Sequence, residues 1–127
     1  MMNEMIKVEV NDNQEQTVSG RELHAFLEIE TPYHKWFPRM CEYGFVESID
    51  FLVTDKNVHN SNGGKQSMVD HILKLDMAKE LCMLARNDKG KQARHYFLEL
   101  EREWNSPEKV MARALQIAEI KLKETTQ

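Results

Sequence analysis

The feature that most constrains the fold of this chain is the set of breaks in its hydrophobic pattern, because they divide the chain into short segments. Gly44, the Asn62-Gly63-Gly64 run, the Asn87–Gly90 run and Ser106-Pro107 are such breaks, built from residues that favour turns and helix ends. Between them, apolar residues alternate in some segments and recur at helical spacing in others. A chain of 127 residues has the usual size of one domain. We therefore expect a single α+β domain, in which a small antiparallel sheet or hairpin packs against about five helices.

Three segments have the pattern of strands. Ile6–Val10 alternates apolar and polar residues and is followed by a turn-like Asn11–Asn13. Phe51–Val53 and Met68–Leu73 also resemble strands and lie on either side of a polar stretch. That stretch, residues 55–67, contains the Asn-Gly-Gly turn signal, and we expect it to form the long, mobile tip of a hairpin.

Two helices are predicted in the first third of the chain. Ser19 and Glu22 fit a capping box, which predicts a helix over about 20–28. Thr31-Pro32 resembles a second helix start, with a cap residue followed by proline, and Gly44 is a natural stop. Pro38 interrupts this helix, so the segment is either one kinked helix or a turn followed by a helix from about 37.

Three further helices are predicted in the second half. They run from Asp76 to about Arg86, from about 88 to Trp104, and over about 107–123. The last helix has a wide apolar face, which either packs on the core, meets a partner helix, or leads to a domain outside this chain. The candidate oligomer-interface residues on this face are Val110, Met111, Ala114, Leu115, Ile117, Ala118 and Leu122.

Charge excludes one class of function for the chain as a whole. The net charge is −4 at pH 7, so this is not a strongly basic nucleic-acid-binding protein. Residues 1–30 hold seven acidic and two basic side chains, whereas Arg86–His95 hold four basic and one acidic. The sequence has neither a secretion signal nor an apolar run of membrane-spanning length. We expect a cytoplasmic protein whose Cys41 and Cys82 are reduced.

Residues that could carry catalysis or bind a metal are scattered. The five histidines form no HxH or HxxxH pair, and the two cysteines form no CxxC motif. The chain also lacks a phosphate-binding glycine motif and a nucleophile elbow. We therefore expect no metal site, no cofactor and no enzymatic activity.

The basic segment is the one local pattern that suggests a ligand. A helix start surrounded by cations suits a phosphate, and Gln92 could reach a base edge. The polar loop 56–65 could act as a second DNA-contacting element. The candidate DNA-binding residues are Lys56, Lys65, Arg86, Lys89, Lys91, Gln92 and Arg94. The alternative is an ordinary solvated helix start, with Asp88 as its cap.

A series of motifs, in order along the chain, resembles one protein family. Val18–Leu27 is similar to the opening of phage antirepressor domains. The signatures similar to those of the AntA/AntB antirepressor family are Trp36-Phe37, Met40–Phe45, Asp50-Phe51 and Lys89–Phe97. Pro38 departs from this pattern, since the family usually has a polar or basic residue there.

The resemblance covers about residues 16–105. It assigns residues 1–105 to an AntA/AntB-like domain, related to the Bro-N and KilA-N type, and leaves 106–127 as a C-terminal oligomerisation or linker helix. It implies a phage or prophage protein in a bacterial host that opposes a repressor and promotes lytic genes. We expect a homo-oligomer that either binds the repressor protein, with its acidic first third facing the repressor's basic surface, or binds DNA itself.

Overall fold

The computed structural model describes residues 6–59 and 65–125, which form one α+β unit of four strands and five helices. The strands are β1 (Val8–Val10), β2 (Gln16–Ser19), β3 (Phe51–His59) and β4 (Lys65–Lys74). The helices are α1 (Gly20–Phe26), α2 (Tyr33–Cys41), α3 (Leu75–Ala85), α4 (Asp88–Trp104) and α5 (Pro107–Thr125). The predicted fold class is confirmed.

The four strands form one antiparallel sheet in the order β1-β2-β4-β3. β3 and β4 pair along a ladder from Phe51 opposite Leu73 to His59 opposite Lys65. β2 pairs only with residues 72–74 of β4. The outer half of the hairpin is therefore a two-stranded ribbon that extends past the rest of the sheet.

The predicted hairpin is present, but its strands are longer than expected, and the sequence-based prediction omitted β2. Most of the segment 55–67 is paired strand rather than loop, because ladder hydrogen bonds join backbone groups whatever the polarity of the side chains. The predicted turn at Asn62-Gly63-Gly64 lies outside the described residues. β2 has only four residues and runs directly into α1, so it carried little periodic signal of its own.

The core lies between the sheet and the helices. Val18, Phe51 and Leu73 project from the sheet towards buried side chains of α1, α2, α3 and α4. The largest side chains that are fully buried are Phe97, Leu23, Leu27, Leu73, Met77, Leu81 and Cys82.

Asp70 ties the start of α1 to β4. The Ser19 hydroxyl accepts from the backbone N–H of Glu22, as the capping pattern predicted, and donates to Asp70 Oδ2 at 2.5 Å. Asp70 Oδ1 accepts from the backbone N–H groups of Arg21 (3.0 Å) and His71 (2.7 Å). This carboxylate is only 4% exposed, and its hydrogen bonds offset the cost of burying it.

The second helix is continuous through Pro38, so the alternative of a turn followed by a helix from about 37 is wrong. Its cap was predicted wrongly. Pro32 rather than Thr31 occupies the N-cap position, and its carbonyl accepts from Lys35 and Trp36. The helix survives an internal proline because Tyr33, Trp36 and Phe37 bury one of its faces in the core.

Two helices meet closely at Gly90. A methyl group at this position would collide with the backbone carbonyl of Cys82 on α3. The cap of α4 is Asn87 rather than Asp88: its Oδ1 accepts from Gly90 N–H at 2.8 Å, and its amide donates to the Leu27 carbonyl. Glycine therefore permits close helix packing here and is part of α4, not a break before it.

The last helix lies outside the core. All described side chains of α5 are exposed except Arg113, which is half-buried. The possibility that its apolar face packs on the chain's own core is therefore ruled out for the described residues.

Candidate functional site

The sheet has an open face. Side chains alternate along a strand, so Phe51 and Leu73 point towards the helices while Leu52 and Ile72 point away from them. Leu52 is 53% exposed and Ile72 is 36% exposed. Among the residues described, no helix covers this side. It is therefore the broad surface on which a partner could dock.

Carboxylates line a depression on the open face. Glu9 of β1, Glu22 of α1 and Asp70 of β4 line it, and Asp55 of β3 lies at its edge, where the strand alternation turns the side chain towards the side of Phe51. Lys7 is the one cation among its described lining residues. The remaining lining residues are Thr17, Val18, Ser19, Thr54 and Ile72. We call this depression, together with Leu52 beside it, the acidic sheet face. Such a surface favours a cationic partner that also has apolar contacts to offer.

One ion pair lies on this surface and a second lies next to it. Lys7 Nζ lies 3.2 Å from Glu9, but both side chains are about two-thirds exposed, so the pair is strongly screened by solvent. On the neighbouring part of the same face, a hydrogen bond from Asn11 and the ammonium of Lys74 lower the pKa of Glu15.

The acidic residues in the first third of the chain lie on two different surfaces. Glu9 and Glu22 belong to the acidic sheet face, whereas Glu28 and Glu30 are exposed on the α1–α2 connection and do not line it. Asp55 and Asp70, on the other hand, come from the hairpin. Sequence analysis missed both, because only the strand register brings them beside the N-terminal carboxylates.

The basic residues predicted to bind DNA cluster where α3 meets α4. Arg86 ends α3 in the left-handed conformation (φ 52°) and is exposed, as are Lys91, Gln92 and Arg94. Lys89 is half-buried, with its Nζ 5.3 Å from the centre of the Phe26 ring. We call this group of five residues the basic corner. The side chains of Lys56 and Lys65 lie outside the described part of the chain.

Two features moderate the attraction of the basic corner for a phosphate. Asn87 already accepts one of the N–H groups at the start of α4. His95 Nε2 lies 3.2 Å from Glu99, so a carboxylate stands next to this cluster. Exposed cations remain at Lys91 and Arg94.

The buried polar and sulfur groups have structural roles. Tyr33 O–H lies 2.6 Å from His71 Nδ1, and the His71 ring stacks on Phe37 at a centroid distance of 3.7 Å. Burial lowers the pKa of His71, although the nearby Asp70 carboxylate acts in the opposite direction. Burial raises the pKa of the Cys82 thiol to about 12, so the thiolate needed for nucleophilic chemistry is scarce at neutral pH.

Over residues 6–59 and 65–125, no three His, Cys, Asp or Glu side chains are placed to hold a metal ion. None of the described helices is both long enough and apolar enough to cross a bilayer.

Comparison with known proteins identifies a family. No curated protein and no solved structure matches the chain significantly. The family model of the AntA/AntB antirepressor matches residues 18–87, which include α1, α2, the hairpin and α3. The match ends at Asn87, so the resemblance noted over Lys89–Phe97 lies beyond it. It nevertheless spans more than half of the chain, and the protein therefore belongs to the AntA/AntB antirepressor family.

Proposed function

We propose that this antirepressor acts by binding a phage repressor protein noncovalently through the acidic sheet face, and so favours lytic gene expression. The observation that carries the proposal is the grouping of carboxylates beside exposed apolar residues on an uncovered sheet. A repressor presents a basic surface to the phosphates of its operator. A protein that covers this surface competes directly with DNA.

The physical contributions divide between charge and burial. Exposed carboxylates such as Glu9 attract a basic surface over long range and raise the association rate. Leu52 and Ile72 supply apolar area that is removed from water once the partner is seated. Binding should therefore weaken with added salt without vanishing, because the apolar contribution is insensitive to screening.

The test is a competition for the operator. A labelled operator carrying the repressor of the same phage is titrated with this protein, and its fluorescence anisotropy is followed. A fall to the value of free DNA supports the proposal, because the repressor has then left the operator. Unchanged anisotropy, at protein concentrations far above those of the complex, contradicts it.

A matched pair of variants tests the surface itself. The substitution Glu9→Lys reverses an exposed charge on the acidic sheet face, and we expect at least about fivefold more protein to be needed to release the repressor. Glu28→Lys makes the same change in net charge on the α1–α2 connection, and we expect little effect. If both variants needed equally more protein than the wild type to release the repressor, net charge and not this surface would govern the competition.

A second candidate function is DNA binding by the basic corner. It is favoured by the joint exposure of Lys91, Gln92 and Arg94 at the start of a helix that follows α3 after a short connection, as in helix-turn-helix proteins. In the same titration, this function predicts that anisotropy rises instead of falling. Lys91→Glu with Arg94→Glu should then abolish the rise, and the wild-type affinity should fall steeply with salt.

A further inference from the structure

We propose that α5 pairs with the α5 of a second copy of this chain. The inference is independent of the proposed function, since it concerns a different surface. It starts from a helix of 19 residues whose apolar side chains are exposed. Most of the stability of a helix in a protein comes from packing an apolar face, not from helix propensity.

Three of the exposed large apolar residues of α5, Met111, Leu115 and Leu122, lie on one side of the helix, whereas Ile120 lies on the opposite side. With 3.6 residues per turn, Met111, Ala114, Leu115 and Ala118 fall within an arc of about 100°. Met111 is 67% exposed and Leu115 is 62% exposed, whereas Val110 and Ile117, on the flank of the arc, are 43% and 42% exposed. The spacing of four, three and four residues from Met111 through Leu115 and Ala118 to Leu122 is that of a helix-pairing seam. The two alanines allow the helix backbones to approach closely.

A contact with α4 orients this side away from the chain's own domain. Arg113 Nη1 donates to the Trp104 carbonyl at 2.7 Å, and its guanidinium lies 4.1 Å from the centre of the Trp104 ring. Arg113 lies roughly 160° around the helix from Met111. The side that is attached to the domain and the apolar side are therefore nearly opposite, so the domain leaves the apolar side accessible.

The surface area supports a second copy as the occupant. The chain exposes 9170 Å², whereas a compact monomer of its mass exposes about 7,000 Å². The excess, about 2,000 Å², belongs to all the parts that project from the compact unit, the outer half of the hairpin as well as α5, and the roughly 800 Å² that each partner buries in a standard interface is less than half of it. A seam of Met, Leu and Ala matches an identical copy of itself, as two-fold symmetry requires.

The experiment is light scattering coupled to size-exclusion chromatography of the full chain over a concentration series. We expect the mass to approach about 30 kDa, twice that of the monomer, and to fall towards the monomer value on dilution. Circular dichroism provides a second readout: the helical signal at 222 nm should decrease on dilution, because unpaired α5 frays.

Two variants with the same new charge separate the seam from the rest of the helix. Leu115→Glu places a carboxylate in the seam, and we expect it to raise the dissociation constant of the dimer at least about tenfold. Gln116→Glu places it about 100° away from Leu115, on the side opposite Met111, and should leave the dimer intact. A monomer mass for the wild type at the highest concentration, or a stable dimer of Leu115→Glu, would overturn the proposal. Unchanged thermal unfolding of the rest of the domain in both variants excludes misfolding as the cause.

Discussion

Replacing Gly90 by alanine tests the close packing of α3 and α4 with a single methyl group. Helix propensity alone predicts stabilisation, because alanine is favoured over glycine by about 1 kcal/mol inside a helix. The structure predicts the opposite sign. The new Cβ would overlap the backbone carbonyl of Cys82 and would approach the Ala85 Cβ to 3.2 Å and the Asn87 Oδ1 to 3.3 Å.

The magnitude follows from what must move. The obstacle is a backbone carbonyl within α3, so the helices have to separate and cannot relieve the overlap by turning a side chain. Overpacking of this kind costs typically about 1–3 kcal/mol. Displacing Asn87 would also weaken the cap of α4, which is worth about 1 kcal/mol. After the gain in propensity is subtracted, we expect a net loss of about 1–3 kcal/mol.

The assay is urea and thermal unfolding followed by circular dichroism. For a domain of this size, the melting temperature should fall by roughly 3–5 °C per kcal/mol lost. Gln92→Ala is the control, since Gln92 is exposed on the same helix two residues later. It should change the free energy of unfolding by less than about 0.5 kcal/mol. A Gly90→Ala protein as stable as the wild type would refute the packing argument.

Two other changes have expected outcomes that follow from buried hydrogen bonds. Asp70→Ala should destabilise the fold by about 2–3 kcal/mol, because Ser19 Oγ and the Arg21 N–H lose a buried acceptor. If the free energy of unfolding in urea fell no further than in a Ser19→Ala variant, this account would be contradicted. Burial lowers the pKa of His71, so below about pH 6.5 the folded state binds fewer protons than the unfolded chain. The contribution of His71 to stability is therefore present above about pH 6.5 and is lost as the pH falls below that value. Unfolding measured from pH 7.5 to 5 should therefore show a steeper loss for the wild type than for His71→Phe, and equal slopes would show that this histidine does not contribute.

Local signals predicted most of the helices. The Ser19 cap, the Ser106-Pro107 start and the spacing of apolar residues all act within one or two turns, so they can be read from a short window of sequence. A short window of sequence did not predict the strands in the outer half of the β3–β4 hairpin. Its strands are polar there, and the hydrogen bonds that define them connect Asp55 with Val69, fourteen residues away.

The candidate sites were predictable to different degrees. The basic corner lies within nine residues of sequence, so its exposed cations could be recognised from composition alone. The acidic sheet face could not, because its carboxylates come from four different elements. The surplus of acidic residues in the first third of the chain predicted the charge of this face correctly. It also included Glu28 and Glu30, which lie on the α1–α2 connection and not on this face.

The sequence by itself determined the helical segments, the fold class and the family, because caps, periodicity and ordered motifs are properties of neighbouring residues. Only the tertiary structure decided which carboxylates share a surface, why position 90 must be glycine, and that the apolar side of α5 is left uncovered. Each of these depends on pairing or packing between segments that are distant along the chain. The free energy of such a contact depends on both of the segments that form it, so the pattern of one segment alone cannot predict it.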